Sequence, residues 1–240
     1  STPTSGATFT VDNTAPTAAI TYSYAAPYKN GGTNVTITAT FNGAVLDSPV
    51  PTIAIAGSGT LGATSSTIMT KTSSTVYTYT YTVPTGDGTG TVTVGTGTDA
   101  AGNVVTSTPT SGATFTVDNT APTAAITYSY AAPYKNGGTN VTITATFNGA
   151  VLDSPVPTIA IAGSGTLGAT SSTIMTKTSS TVYTYTYTVP TGDGTGTVTV
   201  GTGTDAAGNV VTSTPTSGAT FTVDNTAPTA AITYSYAAPY

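Results

Sequence analysis

The sequence lacks most of the side chains on which enzymes rely. Its 240 residues contain no His, Cys, Trp, Glu or Arg, and the charged residues are four Lys and nine Asp. General acid–base and nucleophilic catalysis usually employ His, Cys, Glu or a base-activated Ser, so no catalytic triad can be assembled. We therefore expect a protein that is not an enzyme. Zinc and similar metals favour thiolate and imidazole ligands, which leaves oxygen-seeking cations, calcium first among them.

Positive charge and long apolar runs are also scarce. The net charge is −5 and only 5% of the residues are charged. Binding to nucleic acid needs clustered cations that neutralise phosphates, so we expect none here. The sequence contains no run of about 18 apolar residues, so we expect no membrane insertion in this segment. The absence of cysteine fits surface proteins that do without disulfides.

What the sequence does contain is a perfect repeat. Ser1-Thr2-Pro3-Thr4-Ser5-Gly6 recurs at Ser107 and again at Ser213, a period of 106 residues in which every residue is identical. A period near 100 suits a whole domain rather than a solenoid unit. A unit of this size buries enough surface to fold by itself.

Each repeat has the pattern of half-buried strands, since apolar residues alternate with Thr in short runs between Gly, Pro, Asn and Asp. The clearest run is 35–41, and similar runs lie around Ile20, Ile53, Ile68, Val92 and Phe115. The run from Tyr77 to Val83 places Tyr77, Tyr79 and Tyr81 on one face, which favours core packing over a stacking platform for sugars. The prediction is an all-β chain of tandem immunoglobulin-like β-sandwich domains, about seven strands each, arranged like beads on a string.

The repeat also predicts where the domains begin and end. Residues 13–118 and 119–224 are interpreted as two complete Ig-like repeats. Residues 1–12 are interpreted as the last strand of an incomplete preceding repeat, and residues 225–240 as the first strand of an incomplete following one. We expect the linker residues Pro16 and Pro122 to hold neighbouring repeats semi-rigidly, because proline restricts the backbone.

Two segments carry a family resemblance. The stretches Thr98-Asp99-Ala100-Ala101-Gly102-Asn103 and Phe115-Thr116-Val117-Asp118-Asn119-Thr120-Ala121-Pro122 resemble the closing turn and linker of bacterial Ig-like (Big-type) repeats. Such repeats occur in large prokaryotic adhesins and biofilm-associated surface proteins, and the resemblance covers the whole repeat. It implies an extracellular location at a cell surface, a tandem arrangement, a role in reach or adhesion, and linkers stiffened by calcium.

Identity between the repeats favours a structural role. Length accumulates with every copy, whereas a ligand site is needed once, so we expect a spacer or fibre segment of a long extracellular protein such as a stalk, filament or adhesin shaft. The alternative is a repeated adhesive module that binds glycans or surfaces through exposed loops. Besides the neighbouring repeats of its own chain, a second copy is an expected partner, because edge strands with few charges permit lateral association into fibres.

The candidate calcium ligands are aspartates expected at the N-terminal end of each repeat. Asp12, Asp47 and Asp99 should lie near one another there, and the second repeat provides the same set, Asp118, Asp153 and Asp205. Calcium takes about six to eight oxygens, which three carboxylates, backbone carbonyls and water can provide. The alternative is a structural turn in which Asp99 binds the amides of its own loop. Asp87, at the opposite end, is interpreted as a turn residue.

Two further positions are candidates for modification. Asn34 and Asn140 each begin an Asn-Val-Thr sequon for N-glycosylation. Each is predicted on the outward side at the start of a strand.

Overall fold

The alternating runs form strands in a chain that divides into two units. The computed structural model describes residue 6 and residues 8–236, and this part contains sixteen strands and no helix. The contacts divide the chain after Thr120, with the short stretch Ala207–Asn209 grouped with the first unit. The predicted all-β class is confirmed.

Each unit contains eight strands. Those of the first unit are β1 (Ala18–Tyr22), β2 (Val35–Phe41), β3 (Thr52–Gly57), β4 (Thr64–Ile68), β5 (Thr70–Lys71), β6 (Val76–Tyr81), β7 (Gly88–Gly95) and β8 (Thr114–Val117). Those of the second unit are β9 (Ala124–Tyr128), β10 (Val141–Phe147), β11 (Thr158–Gly163), β12 (Thr170–Ile174), β13 (Thr176–Lys177), β14 (Val182–Tyr187), β15 (Gly194–Gly201) and β16 (Thr220–Val223).

The strands of a unit form two antiparallel sheets. In the first unit their orders are β1-β2-β6-β5 and β4-β3-β7-β8, and in the second β9-β10-β14-β13 and β12-β11-β15-β16. The prediction of tandem Ig-like β-sandwiches is therefore confirmed. The eighth strand, β5, is a two-residue piece that pairs with β6.

The core of each unit lies between its two sheets. The inner face of β2 buries Val35, Ile37, Ala39 and Phe41 in one hydrophobic cluster with residues of β3 and β7. Threonine occupies the alternate positions, where its branched side chain suits an extended backbone and its hydroxyl faces outward. Of the three tyrosines on β6, Tyr77 and Tyr81 are buried and Tyr79 is partly buried against the core, as predicted.

An aromatic cluster fills one end of the core of the first unit, where β1 and β6 end. The Phe115 ring lies 5.6 Å from Tyr22, 5.5 Å from Tyr28 and 5.2 Å from Tyr81, measured between ring centroids. Gly90 makes room for this ring, because a Cβ at that position would stand 2.3 Å from Phe115 Cζ. Strand β8 thus completes the core as well as the sheet.

Two of the four sheet edges are covered by neighbouring chain. Beside β1, the Ile20 amide donates to Ser111 O and the Thr110 amide donates to Ala18 O. Beside β8, the Tyr28 amide donates to Thr116 O. Strand β4 also lies at an edge, and among the described residues no further strand pairs with it. Its Ile68 side chain is 69% exposed.

The terminal segments lack the neighbours that the same sequence has inside a repeat. Residues 8–12 and 225–236 form no strand in the described structure, whereas the identical sequences in β8 and β9 do. Phe9 is 85% exposed, while Phe115, its equivalent one repeat later, is 5% exposed. A strand needs a hydrogen-bonded partner, and these segments have none of the sheet around them. The remaining residues of the predicted incomplete repeats, 1–5, 7 and 237–240, lie outside the described residues.

Candidate functional sites at the two ends of a repeat

The Asp99 carboxylate is engaged by its own turn. Its Oδ1 accepts the amides of Ala101 and Asn103, each at 2.9 Å, and its Oδ2 accepts Asn103 Nδ2 at 2.9 Å. These bonds, the Asn103 side chain foremost, lower the pKa of Asp99 below its usual value. Gly102 has a φ of 89°, which glycine adopts readily. The hydrogen bonds of the structural turn are therefore all present, and Asp99 is 9% exposed.

Asp47 is bonded to side chains that lie elsewhere in the sandwich, away from the Asp99 turn. Its Oδ2 accepts Lys71 Nζ at 2.7 Å and its Oδ1 accepts the Tyr77 hydroxyl at 3.2 Å. The hydrogen bond with the ammonium lowers the pKa of Asp47 and raises the pKa of Lys71. The same pair recurs as Asp153 with Lys177 at 2.7 Å.

Asp12 lies beside the Asp99 turn. Its Oδ1 accepts the Thr14 amide at 2.9 Å, and its backbone oxygen accepts Asn103 Nδ2 at 3.0 Å. A cleft of about 310 Å³ is lined by Asp12 and Asp99 among others, and Asp47 is not in its lining. In the second repeat, Asp118 Oδ1 accepts the Thr120 amide at 3.0 Å.

The predicted calcium ligands thus come together only in part. Asp12 and Asp99 share a cleft, whereas Asp47 is paired with a lysine. Within residue 6 and residues 8–236, no group of three or more His, Cys, Asp or Glu side chains is placed to hold a metal ion. The Asp99 carboxylate already accepts three hydrogen bonds within its turn, so a calcium ion here would depend on Asp12, backbone carbonyls and water for most of its ligands. Calcium binding stays a prediction, as does a role for Asp205, which is 8% exposed.

The two sequons lie where they were predicted. Asn34 and Asn140 are exposed and directly precede β2 and β10. Glycosylation at either position stays a prediction.

The opposite end of the repeat contains a group of contacts that the sequence interpretation missed. As the chain leaves β8, the Asn119 amide donates to Asp87 Oδ1 at 2.6 Å and the Thr120 hydroxyl donates to Asp87 Oδ2 at 2.6 Å. Asn119 Oδ1 in turn accepts the Asn30 amide at 2.7 Å. We call Asp87, Asn119, Thr120 and Asn30 the exit clasp of the first unit.

The Asn119 side chain ties this clasp to the loop before β7. Its Nδ2 donates to Gly86 O at 3.1 Å and, more distantly, to Pro84 O at 3.3 Å. The bond from the Thr120 hydroxyl, followed by that from the Asn119 amide, lowers the pKa of Asp87 below its usual value. Asp87 therefore remains a carboxylate with both oxygens engaged.

The second unit contains the same clasp, formed by Asp193, Asn225, Thr226 and Asn136. The Asn225 amide donates to Asp193 Oδ1 at 2.5 Å, the Thr226 hydroxyl to Asp193 Oδ2 at 2.7 Å, and the Asn136 amide to Asn225 Oδ1 at 2.7 Å. A signal for it exists in the sequence. The polar run Asp118-Asn119-Thr120 directly follows the last strand, and Asp87 is predicted at that same end.

The chain beyond the clasp enters the second unit almost at once. Pro122 is buried and its carbonyl accepts the Thr212 amide at 2.8 Å. The Thr123 amide donates to Asn148 Oδ1 at 2.9 Å. Hydrogen bonds to the second unit therefore begin at Pro122, two residues after the last residue of the first clasp.

A shallow groove lies on the surface of the second unit. It has a volume of about 320 Å³ and is lined by Tyr130, Pro133, Tyr134, Lys135, Gly138 and Thr139. Tyr130 is 38% exposed. An aromatic face beside a lysine suits the apolar face and the polar groups of a sugar.

Comparison with known proteins gives matches among solved structures. A scan of protein-family models gives no match, and neither does a search of curated proteins. Among solved structures, the chain is similar to a chimeric titin Z1Z2-Z1Z2 tandem, with 17% identity over 85% of this chain and 96% of that one and a TM-score of 0.22. It is also similar to the adhesin InvE of Yersinia pseudotuberculosis, with 18% identity over 87% of this chain and 58% of that one and a TM-score of 0.30.

A third similar structure is that of the titin domains Z1Z2 in complex with telethonin, with 16% identity over 89% of this chain and 96% of that one and a TM-score of 0.24. In the described part of the chain, the structure has no helix long and apolar enough to cross a membrane.

Proposed function

We propose that the chain is a spacer segment of a long extracellular surface protein and has no enzymatic activity. The observation that carries this proposal is the repetition of a complete sandwich, with its own core and its own exit clasp, at a period of 106 residues. Every added copy adds length and needs no other part of the chain to fold. The resemblance to Big-type repeats supports a prokaryotic cell surface as its location.

The spacer role is tested by length. Proteins with two, four and eight repeats would be imaged as single molecules by atomic force or electron microscopy. We expect the contour length to rise by a constant increment per repeat. A length that stops rising because the repeats fold back on one another would contradict the proposal.

The second candidate function is adhesion through a repeated site. The groove beside Tyr130 and Lys135 favours it, and the equivalent surface of the first unit contains Tyr24 and Lys29. A glycan array probed with the two-repeat protein tests this idea. Saturable binding that is lost in Tyr24→Ala/Tyr130→Ala and kept in the outer-face control Thr93→Ala/Thr199→Ala would replace a pure spacer role by adhesion.

Calcium at the N-terminal end of each repeat is a separate proposal. Asp12 and Asp99 are the carboxylates placed closest to its requirements, since they share a cleft. Melting would be measured with calcium and with a chelator, in the natural protein and in Asp12→Ala/Asp118→Ala. A calcium-dependent rise in melting temperature that the double variant lacks is the expected result. Equal melting in all four samples would contradict calcium binding.

Lateral association with a second copy of the chain is proposed at strand β4. The strand exposes Ile68 and contains no charged residue, whereas natural edges are commonly blunted by lysine. Its sequence Thr64-Ser65-Ser66-Thr67 reads the same in both directions, so two antiparallel copies place like residues opposite each other. A register shift between β3 and β4 shortens the regular pairing, so each contact is expected to be weak.

Sedimentation at increasing protein concentration tests this surface. The lysine variants Ile68→Lys/Ile174→Lys are expected to remain monomeric where the natural protein associates. The control is Thr93→Lys/Thr199→Lys, which adds the same charge to an exposed face in the middle of a sheet. Association that persists in Ile68→Lys/Ile174→Lys, or that the control abolishes equally, would contradict pairing through β4.

A further inference from the structure

We propose that the exit clasp sets the force at which a repeat is pulled open from its C-terminal side. Tension acts along the chain of a spacer and equally along the chain of an adhesive array, so this role of the clasp does not depend on which proposed function is correct. It assigns a task to Asp87, which the turn interpretation does not.

The position of β8 explains why a clasp is needed. β8 is four residues long and pairs with β7 on one side, with the Tyr28 segment on the other. Tension applied beyond residue 120 reaches the C-terminal end of β8 first. Because β8 is so short, only a few hydrogen bonds, those with β7 and those with the Tyr28 segment, would carry this tension in the absence of a further tie.

The clasp changes the order in which bonds are loaded. The Asn119 amide and the Thr120 hydroxyl both donate to Asp87, and the Asn119 side chain bonds the Asn30 amide and the Gly86 carbonyl. These bonds join the leaving chain to two separate loops. Tension on Thr120 is therefore shared among several bonds before it reaches the β7–β8 ladder.

The clasp requires a carboxylate at position 87 because it needs two acceptor oxygens and a negative charge. Each of its oxygens accepts one short hydrogen bond, and bonds to a charged acceptor are about twice as strong as neutral ones. An asparagine at this position would keep the shape and supply only one acceptor oxygen. Its NH₂ group would face either the Asn119 amide or the Thr120 hydroxyl, so one of the two bonds would be lost or reorganised.

Asp47 is a matched control for Asp87. It is also an aspartate with both oxygens bonded, to Lys71 and Tyr77, and hydrogen bonding lowers the pKa of both carboxylates. It does not contact the leaving residues Asn119 and Thr120. A change of Asp47 therefore tests the loss of a bonded carboxylate without the loss of the clasp.

Single-molecule force spectroscopy on the two-repeat protein tests the proposal. We compare the natural protein, the clasp variant Asp87→Asn/Asp193→Asn, and the control Asp47→Asn/Asp153→Asn. Each is pulled at constant force through its two chain termini. The clasp variant loses or reorganises a hydrogen bond to a charged acceptor, so it is expected to unfold about tenfold faster than the natural protein at the same force, and the control less than about threefold faster. Equal unfolding rates in the clasp variant and the natural protein, or equal acceleration in the clasp variant and the control, would overturn the proposal.

A gentler variant keeps the test decisive if the clasp variant does not fold. Thr120→Val/Thr226→Val removes only the hydroxyl that donates to Asp87 or Asp193 and preserves the side-chain shape. Its expected acceleration under force is smaller than that of the clasp variant but larger than that of the control Asp47→Asn/Asp153→Asn, with little change in melting temperature. A melting temperature that falls while the unfolding rate under force stays the same would overturn the mechanical role.

Discussion

Truncation of Phe115 to alanine is expected to destabilise the first unit strongly. The ring is 5% exposed and touches three aromatic neighbours, Tyr22, Tyr28 and Tyr81, at centroid distances of 5.2 to 5.6 Å. Phe→Ala changes in cores cost about 3–5 kcal/mol, and rigid rings around the cavity leave little that can collapse into it. We therefore expect a loss of about 4 kcal/mol in the free energy of unfolding of that unit.

The repeat provides a control for this prediction within the same chain. Phe9 has the same neighbours in sequence but is 85% exposed, so Phe9→Ala should change the stability by less than about 0.5 kcal/mol. The equivalent change in the second unit, Phe221→Ala, should lower the stability of that unit as much as Phe115→Ala lowers that of the first.

Urea unfolding followed by far-ultraviolet circular dichroism and tyrosine fluorescence measures these effects. With a slope of about 2 kcal/mol per molar urea, the loss corresponds to a fall of about 2 M in the midpoint of one unit. Phe115→Ala should therefore turn a single transition into two, with the second unit unfolding near its original midpoint. A similar loss in Phe9→Ala and Phe115→Ala would refute the assignment of β8 as the strand that closes the core.

Three further predictions concern groups inside a unit. Tyr81 has a buried hydroxyl that meets no hydrogen-bonding partner among the described residues, so Tyr81→Phe should leave the thermal midpoint unchanged or raise it. The control Tyr77→Phe removes a hydroxyl that is hydrogen-bonded and should lower the free energy of unfolding by about 1 kcal/mol. Gly90→Ala should destabilise by about 1–3 kcal/mol in urea unfolding, because the new Cβ would stand 2.3 Å from the Phe115 ring. The pKa of Asp87 is lowered in the folded state, so its contribution to stability is present above the unfolded value near 3.8 and is lost as the pH falls through the folded value. The urea midpoint is measured between pH 7 and pH 2. It should decrease once the pH is below about 4, and this decrease should be less steep in Asp87→Asn. A midpoint that increases on acidification would contradict the lowered pKa of Asp87.

The inner strands were predictable because one of their faces is buried. Period-two alternation over 35–41 predicts β2 with the bounds that the structure shows, since its apolar residues all point into the core. Strand β4 is different, because its residues Thr64–Ile68 are mostly exposed on both faces and its sequence has no clear alternation. Such an edge strand depends on its partner β3 rather than on its own pattern.

The sites were less predictable than the fold because they depend on pairings across the sandwich. Asp99 binds donors within four residues of itself, and turn preferences alone anticipate that arrangement. Asp47 meets Lys71 only because β5 pairs with β6 in one register. Asp87 meets Asn119 over 32 residues of chain, and no local pattern specifies that distance.

The exit clasp has a consequence for how such an array changes in length over generations. All of its residues lie between Asn30 and Thr120, a stretch shorter than one period of 106 residues, and so do most residues of the core that it adjoins. A recombination event that inserts or deletes a whole number of 106-residue copies therefore leaves every remaining clasp intact. No new surface has to be evolved to fit the added domain, so the gene can alter the number of copies without a loss of stability in any single repeat.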